Sequence, residues 1–176
     1  MIHNDKILIF VGVSGAGKSA LSKKLAGDCG LVVRDIIEYA EKYLAMTDEP
    51  VLSETMLRKA YEEFLADLPS SRFDIIEIAN DWPEDMLPRI VAILKKIRKA
   101  DIVLVLCRCG LDVLASRIAA RGRLLPDGLI PRQAQYSQKF FEEISAALGI
   151  KFIDINTEKP FAESYQELLR LLGDCG

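Results

Sequence analysis

Residues 12–19 read Gly-Val-Ser-Gly-Ala-Gly-Lys-Ser and follow directly on the apolar run Lys6-Ile7-Leu8-Ile9-Phe10-Val11. Glycines at this spacing let a chain turn so that successive N–H groups point inward at an anion. Gly12, Gly17, Lys18 and Ser19 match the fixed positions of Gly-x-x-x-x-Gly-Lys-[Ser/Thr]. In that pattern the lysine reaches the β- and γ-phosphates of a nucleoside triphosphate, the hydroxyl ligates magnesium and the following helix adds its N-terminal dipole. Gly12, Val13, Ser14, Gly15, Ala16, Gly17, Lys18, Ser19 and Ala20 therefore form a candidate ATP and Mg2+ cradle. The plainer alternative is a glycine-rich strand-to-helix turn that holds nothing.

Three arginines stand where they can act on such a phosphate. Arg117 and Arg121 are four apart, hence on one helix face, and Arg123 follows just past Gly122. Converging guanidiniums neutralise charge on a transferring phosphoryl group, and a guanidinium plane can stack on adenine. The same spacing also suits a solvated basic face. At the end of the third apolar run, Phe73-Asp74-Ile75-Ile76-Glu77-Ile78-Ala79-Asn80-Asp81, alternation places Glu77 within the strand and Asp81 at its mouth. Asp81 is the first candidate for a water-mediated magnesium contact and Glu77 the second, with a turn or buried-polar role open for either.

The elements that must position these groups follow from periodicity. Runs rich in Ile, Val and Leu at 6–11, 31–34, 73–79, 101–107 and 151–155 are too continuous for a sheet with one wet face and read as buried parallel strands. Helical patterns alternate with them at 18–26, 53–68, 84–99, 111–121, 131–148 and 161–172. Strands alternating with helices imply right-handed crossovers and a three-layer α/β domain. Two stretches break the alternation, an inserted helical region at 36–72 and the Gly-, Pro- and Arg-rich 121–131. Both are expected above the C-terminal strand edges, where ligands bind in such sheets.

A chain of 176 residues suits one domain, 1–176, and half of it is hydrophobic. No run approaches the length of a membrane span, no secretory leader is evident, and a cytoplasmic protein is expected. The net charge of −3 gives no field to recruit nucleic acid. Cys29, Cys107, Cys109 and Cys175 lack metal-site or redox spacing and read as reduced thiols. A guanine-reading Asn-Lys-x-Asp is absent from the late strand, which carries Ile153-Asp154-Ile155-Asn156-Thr157 instead.

In Gly12–Ser19 and in the stretch from Leu111 to Arg123, the sequence resembles the small P-loop kinases, the nucleoside-monophosphate-kinase-like group that includes gluconate kinase, shikimate kinase and adenylate kinase. The resemblance implies a five-stranded parallel sheet of order 2-3-1-4-5 with helices on both faces, an acceptor-binding insertion at about 36–72 and a lid at about 121–131. It implies transfer of the γ-phosphoryl group of ATP to a small-molecule hydroxyl or phosphate acceptor such as a sugar acid, nucleoside or nucleotide, and it leaves a homodimer open. Alternatives are a kinase of polynucleotide ends or RNA-attached groups, and an ATP-binding switch that transfers nothing.

The same resemblance places Arg117 by the adenine, Arg121 and Arg123 on phosphates, and Asn156 and Pro160 in a loop that lies against the base. It makes Asp35, after the second strand, the group that orients or deprotonates the acceptor hydroxyl. A magnesium-shell role and a helix N-cap role stay open for Asp35, because the acidic partner often found two positions earlier is Val33 here. The triple glycine of shikimate kinases is absent. Arg34, Arg58, Arg72, Arg89 and Arg132 are candidates for holding an anionic acceptor, and Tyr39 and Trp82 for stacking a base or sugar, although such residues are more often surface or packing groups.

Overall fold

The structure, a computed structural model, describes residues 6–48, 52–79, 85–122 and 129–173, with the backbone alone given for 79 and for 129–137. Five strands form one sheet in the order β2-β3-β1-β4-β5, every neighbouring pair parallel. They are β1 (Lys6–Gly12), β2 (Val33–Asp35), β3 (Ile75–Ala79), β4 (Asp101–Arg108) and β5 (Lys151–Asn156). The helices are α1 (Lys18–Cys29), α2 (Ile37–Leu44), α3 (Glu54–Asp67), α4 (Met86–Ile97), α5 (Leu111–Ala119), α6 (Leu129–Leu148) and α7 (Phe161–Gly173). This is the three-layer P-loop fold with the strand order expected of it.

Period-two alternation divides the strand side chains between two cores. Ile7, Ile9 and Val11 of β1 join Ile102, Leu104 and Leu106 of β4 against α3, α4 and α6. Leu8 and Phe10 join Val103, Val105 and Cys107 against α1, α5 and α7. Both faces of the central strands are thus covered, which is why these runs are apolar throughout.

The insertion at 36–72 resolves into α2 and α3. Ser53 caps α3, its hydroxyl accepting from the Met56 N–H at 3.3 Å. The helix expected from Pro131 begins two residues earlier, at Leu129, since a proline is tolerated in a first turn whose N–H groups have no intrahelical partner. Among the described residues no helix is long and apolar enough to cross a membrane, and Cys29, Cys107 and Cys109 are free thiols.

Candidate active site

The cradle is shaped by what it must turn around. Gly12 ends β1 at φ 147°, and a side chain there would run into the Cys107 carbonyl oxygen of β4. Gly17 adopts a left-handed conformation (φ 89°, ψ 7°) at the cap of α1 and gives no side-chain cap to the helix. No acidic residue of α1 itself occupies its first turn, and the carboxylate that approaches this end of the helix comes from β3. The Lys18 ammonium donates to the carbonyls of Gly12 at 2.7 Å and Val13 at 3.0 Å, folding back across the loop. Val13 and Ala16 are buried, while Ser14, Gly15, Gly17, Lys18, Ser19 and Ala20 line a cleft of about 230 Å³.

The opposite wall of that cleft carries the acids. Glu77 is 1% exposed and stands beside Asp35 in the β2–β3 register. Ser19 Oγ donates to Glu77 Oε2 at 2.6 Å, and Ser22 Oγ, one turn along α1, donates to Oε1. Both carboxylate oxygens are therefore fixed by hydroxyls of the helix that carries the cradle. Asp35 Oδ1 accepts the Ile37 N–H at 3.0 Å, tying the end of β2 to the start of α2. Burial pushes Asp35 up to about 6, and the charges of Glu77 and Glu38 add to the rise against the Ile37 N–H and the Lys18 ammonium. Arg121, in the turn after α5, lines the same cleft.

A second cleft of about 340 Å³ adjoins the first through Gly15, Gly17, Ala20 and Arg121, and is bounded by Arg117, Thr157, Lys159 and Phe161. Arg117 spans it: Nη1 donates to the Gly15 carbonyl at 3.3 Å and Nη2 to the Thr157 carbonyl at 2.6 Å. Its hydrogen-bonding edge thus joins the cradle to the β5–α7 loop, and its planar face is the part suited to stacking. Thr157 Oγ1 donates to the Ala16 carbonyl at 2.8 Å, and Thr157 N to the Arg108 carbonyl at 2.8 Å.

The structure brings Lys18, Ser19, Asp35 and Arg121 into one cleft and Arg117 into the next, and sets Asn156 at the end of β5 and Pro160 in the loop that joins β5 to α7. Asn156 Oδ1 accepts the Glu158 N–H, and the Pro160 carbonyl accepts the N–H groups of Glu163 and Ser164 at the start of α7. Of this loop, Thr157 and Lys159 are the residues that line the second cleft described above. Asp81, Arg123, Trp82 and most of the expected lid, residues 123–128, lie outside the described residues, as does the side chain of Arg132.

Tyr39 packs edge-on against Phe64 and donates its hydroxyl to Asp67 at 2.8 Å, so it serves packing. Sequence reasoning ranked Glu77 second, missed Ser22 and took in Thr157 only as part of the loop 156–160. The signal for the first two was present as a lone acid in an apolar strand and two serines three apart on α1. Burial raises the thiols of Cys107, to about 12, and of Cys109, which leaves both unsuited to nucleophilic work.

Neither a protein-family model nor a curated protein sequence matches the chain. Solved structures do match its fold. A gluconokinase from Sinorhizobium meliloti 1021 aligns over 97% of this chain and 93% of its own, with TM-score 0.68 and 19% identity. Shikimate kinase from Acinetobacter baumannii, in complex with shikimate, aligns over 97% and 93%, with TM-score 0.64 and 17% identity. Deoxyadenosine kinase from M. mycoides aligns over 97% and 100%, with TM-score 0.61 and 15% identity. At these identities the likeness establishes the fold, and the nucleoside-monophosphate-kinase-like resemblance read in the sequence holds at that level.

Proposed function

We propose that the protein is a kinase that transfers the γ-phosphoryl group of ATP, with magnesium, to a hydroxyl of a small molecule. The observation that carries this reading is the convergence of Lys18, Ser19, Asp35, Glu77 and Arg121 on one cleft, supplied by the cradle, β2, β3 and the turn after α5. The donor set fits magnesium, which keeps several waters and is bound through one or two carboxylates plus substrate phosphates. Among the described residues no three His, Cys, Asp or Glu side chains cluster as a dedicated metal cage. Ser19 and Glu77 are the groups that would hold the ion. When bound, it neutralises charge on the β- and γ-phosphate oxygens.

The chain's own residues account for the remaining work. The cradle amides and the N-terminus of α1 orient the triphosphate, with Lys18 turned from its loop carbonyls to the γ-phosphate oxygens. Arg121 adds a second cation where charge develops. Asp35 fixes a lone pair of the acceptor hydroxyl in line with the γ-phosphorus. The new phosphorus–oxygen bond forms as the bond to the β,γ-bridging oxygen breaks. ADP leaves with that electron pair, and the hydroxyl proton passes to Asp35. A carboxyl held at about 6 is ionised at neutral pH yet basic enough to take a proton late in the step.

The test is incubation of the full chain with ATP, magnesium and a panel of alcohols, read by the mass of the product. Transfer is expected to fall by at least about 100-fold in folded Lys18→Ala. Turnover near the wild-type rate in that variant would remove the cradle from the mechanism.

A further inference from the structure

The two halves of the cleft differ in charge. On the Asp35 side it is lined by Ile36, Ile37, Ala40, Glu41, Leu57 and Ile78, apolar surface with one further carboxylate. Its only cations among the described residues are Lys18, in the cradle, and Arg121, which also borders the adjoining cleft beside Arg117. In the kinase reading both serve the phosphates.

Among the described residues, β2, α2, α3 and β3 offer the acceptor side no spare cation. From Ile36 to Asp85 the chain holds Lys42, Arg58, Lys59 and Arg72 as its Lys and Arg, and this span includes residues 49–51 and 80–84. Lys42 pairs with Glu63 at 2.8 Å and Arg58 with Glu54 at 3.2 Å. Lys59 is exposed on α3 and lines neither cleft, and Arg72 precedes β3, at the end of the sheet opposite the site. Arg34 donates to Ser71 Oγ at 2.9 Å, and Arg89 is paired with Glu62 through both its terminal nitrogens.

A site that recognises a carboxylate or phosphate monoester needs a guanidinium or ammonium aimed at it, because the anion otherwise loses its hydration without replacement. Next to Asp35 and a bound triphosphate, an unpaired third anion is also repelled. An ammonium group, in contrast, meets Glu41, one turn along α2 from Ile37 on the same face.

We propose that the phosphoryl acceptor is an uncharged or ammonium-bearing alcohol with an apolar face, and that sugar acids and nucleoside monophosphates are rejected. This rests on the kinase reading, and two measurements keep the two apart. In the first, the full chain with ATP and magnesium is offered alcohols in pairs that share a skeleton and differ in charge: a nucleoside and its monophosphate, an amino sugar and the corresponding sugar acid, and shikimate and its methyl ester. Product mass is expected for neutral or ammonium-bearing members, at rates at least about tenfold above their anionic partners. Faster transfer to the anionic members overturns the proposal. Absence of any product counts against the kinase reading and passes the decision on charge to the second measurement.

That measurement needs no acceptor. Ile37 is 39% exposed at the cleft wall, and Ile37→Cys, in a Cys29→Ser background with an ATP analogue and magnesium bound, presents a thiol there. Its modification by a cationic and by an anionic methanethiosulfonate is followed by peptide mass. The cationic-to-anionic rate ratio is expected to exceed that of a free small thiol by at least about fivefold, the effect in water of Glu41 a helical turn away, with Asp35 beside position 37 adding to it. A ratio equal to or below the free-thiol value overturns the proposal.

Discussion

Asp35→Asn should make the protein more stable where the wild type is ionised, and by an amount that depends on pH. Asparagine keeps the volume and an oxygen for the Ile37 N–H, and removes a charge that the folded site disfavours. Burial and the neighbouring acids raise the carboxyl from 3.8 to about 6. At about 1.4 kcal/mol per pKa unit that is about 3 kcal/mol, and partial solvation at the cleft reduces it to about 1–2 kcal/mol.

The folded state binds the proton more tightly than the unfolded chain, so this penalty is absent below the unfolded value and grows as pH rises, reaching its full size above about pH 6. Urea unfolding of both proteins at about pH 4 and about pH 7.5 should therefore show the variant's relative stability rising by about 1–2 kcal/mol, or about 4 °C in Tm. Groups that titrate alike in the two proteins cancel in that difference. A gap that stays constant or shrinks with pH would refute a destabilised, functional carboxylate at this position.

Other residues give separate readouts. Glu77→Gln leaves one of the Ser19 and Ser22 hydroxyls without an acceptor, so magnesium affinity of the nucleotide complex should fall at least about tenfold in a magnesium titration, with magnesium-free nucleotide binding little changed. Arg117→Lys cannot reproduce a guanidinium that donates to both Gly15 and Thr157; nucleotide affinity by calorimetry should drop about tenfold, and an unchanged value would show that the tie does not shape the site. Gly12→Ala should destabilise the fold by at least about 2 kcal/mol in urea, since its methyl meets the Cys107 carbonyl of a paired strand and cannot be accommodated by a rotamer change.

The sheet was legible because its strands are buried on both faces: Ile7 to Val11 and Ile102 to Cys107 are apolar at every position, and only a covered parallel sheet requires that. Lys18 and Ser19 were legible because a loop motif is local in sequence, whereas Asp35 entered through the family resemblance. Glu77 was ranked below Asp81 because alternation was taken to place it inside the sheet, away from ligand. The structure shows that inside the sheet is also against α1, where Ser19 and Ser22 meet it. Thr157 was reached only through its loop, since its own contact depends on the β5–α7 loop folding back to the Ala16 carbonyl across 141 positions. The sequence left Arg34, Arg58 and Arg89 open as holders of an anionic acceptor, because their partners Ser71, Glu54 and Glu62 are fixed by side-chain contacts that composition does not show.

The central claim is that this cleft transfers a phosphoryl group and does not merely hold a nucleotide. Its most direct test is to measure transfer from γ-labelled ATP to an accepted alcohol by wild type and Asp35→Asn, with ATP–magnesium affinity measured on the same samples. The variant should bind within about threefold of wild type and transfer at least about 100-fold more slowly. Equal transfer by both proteins, at equal nucleotide affinity, would contradict the account.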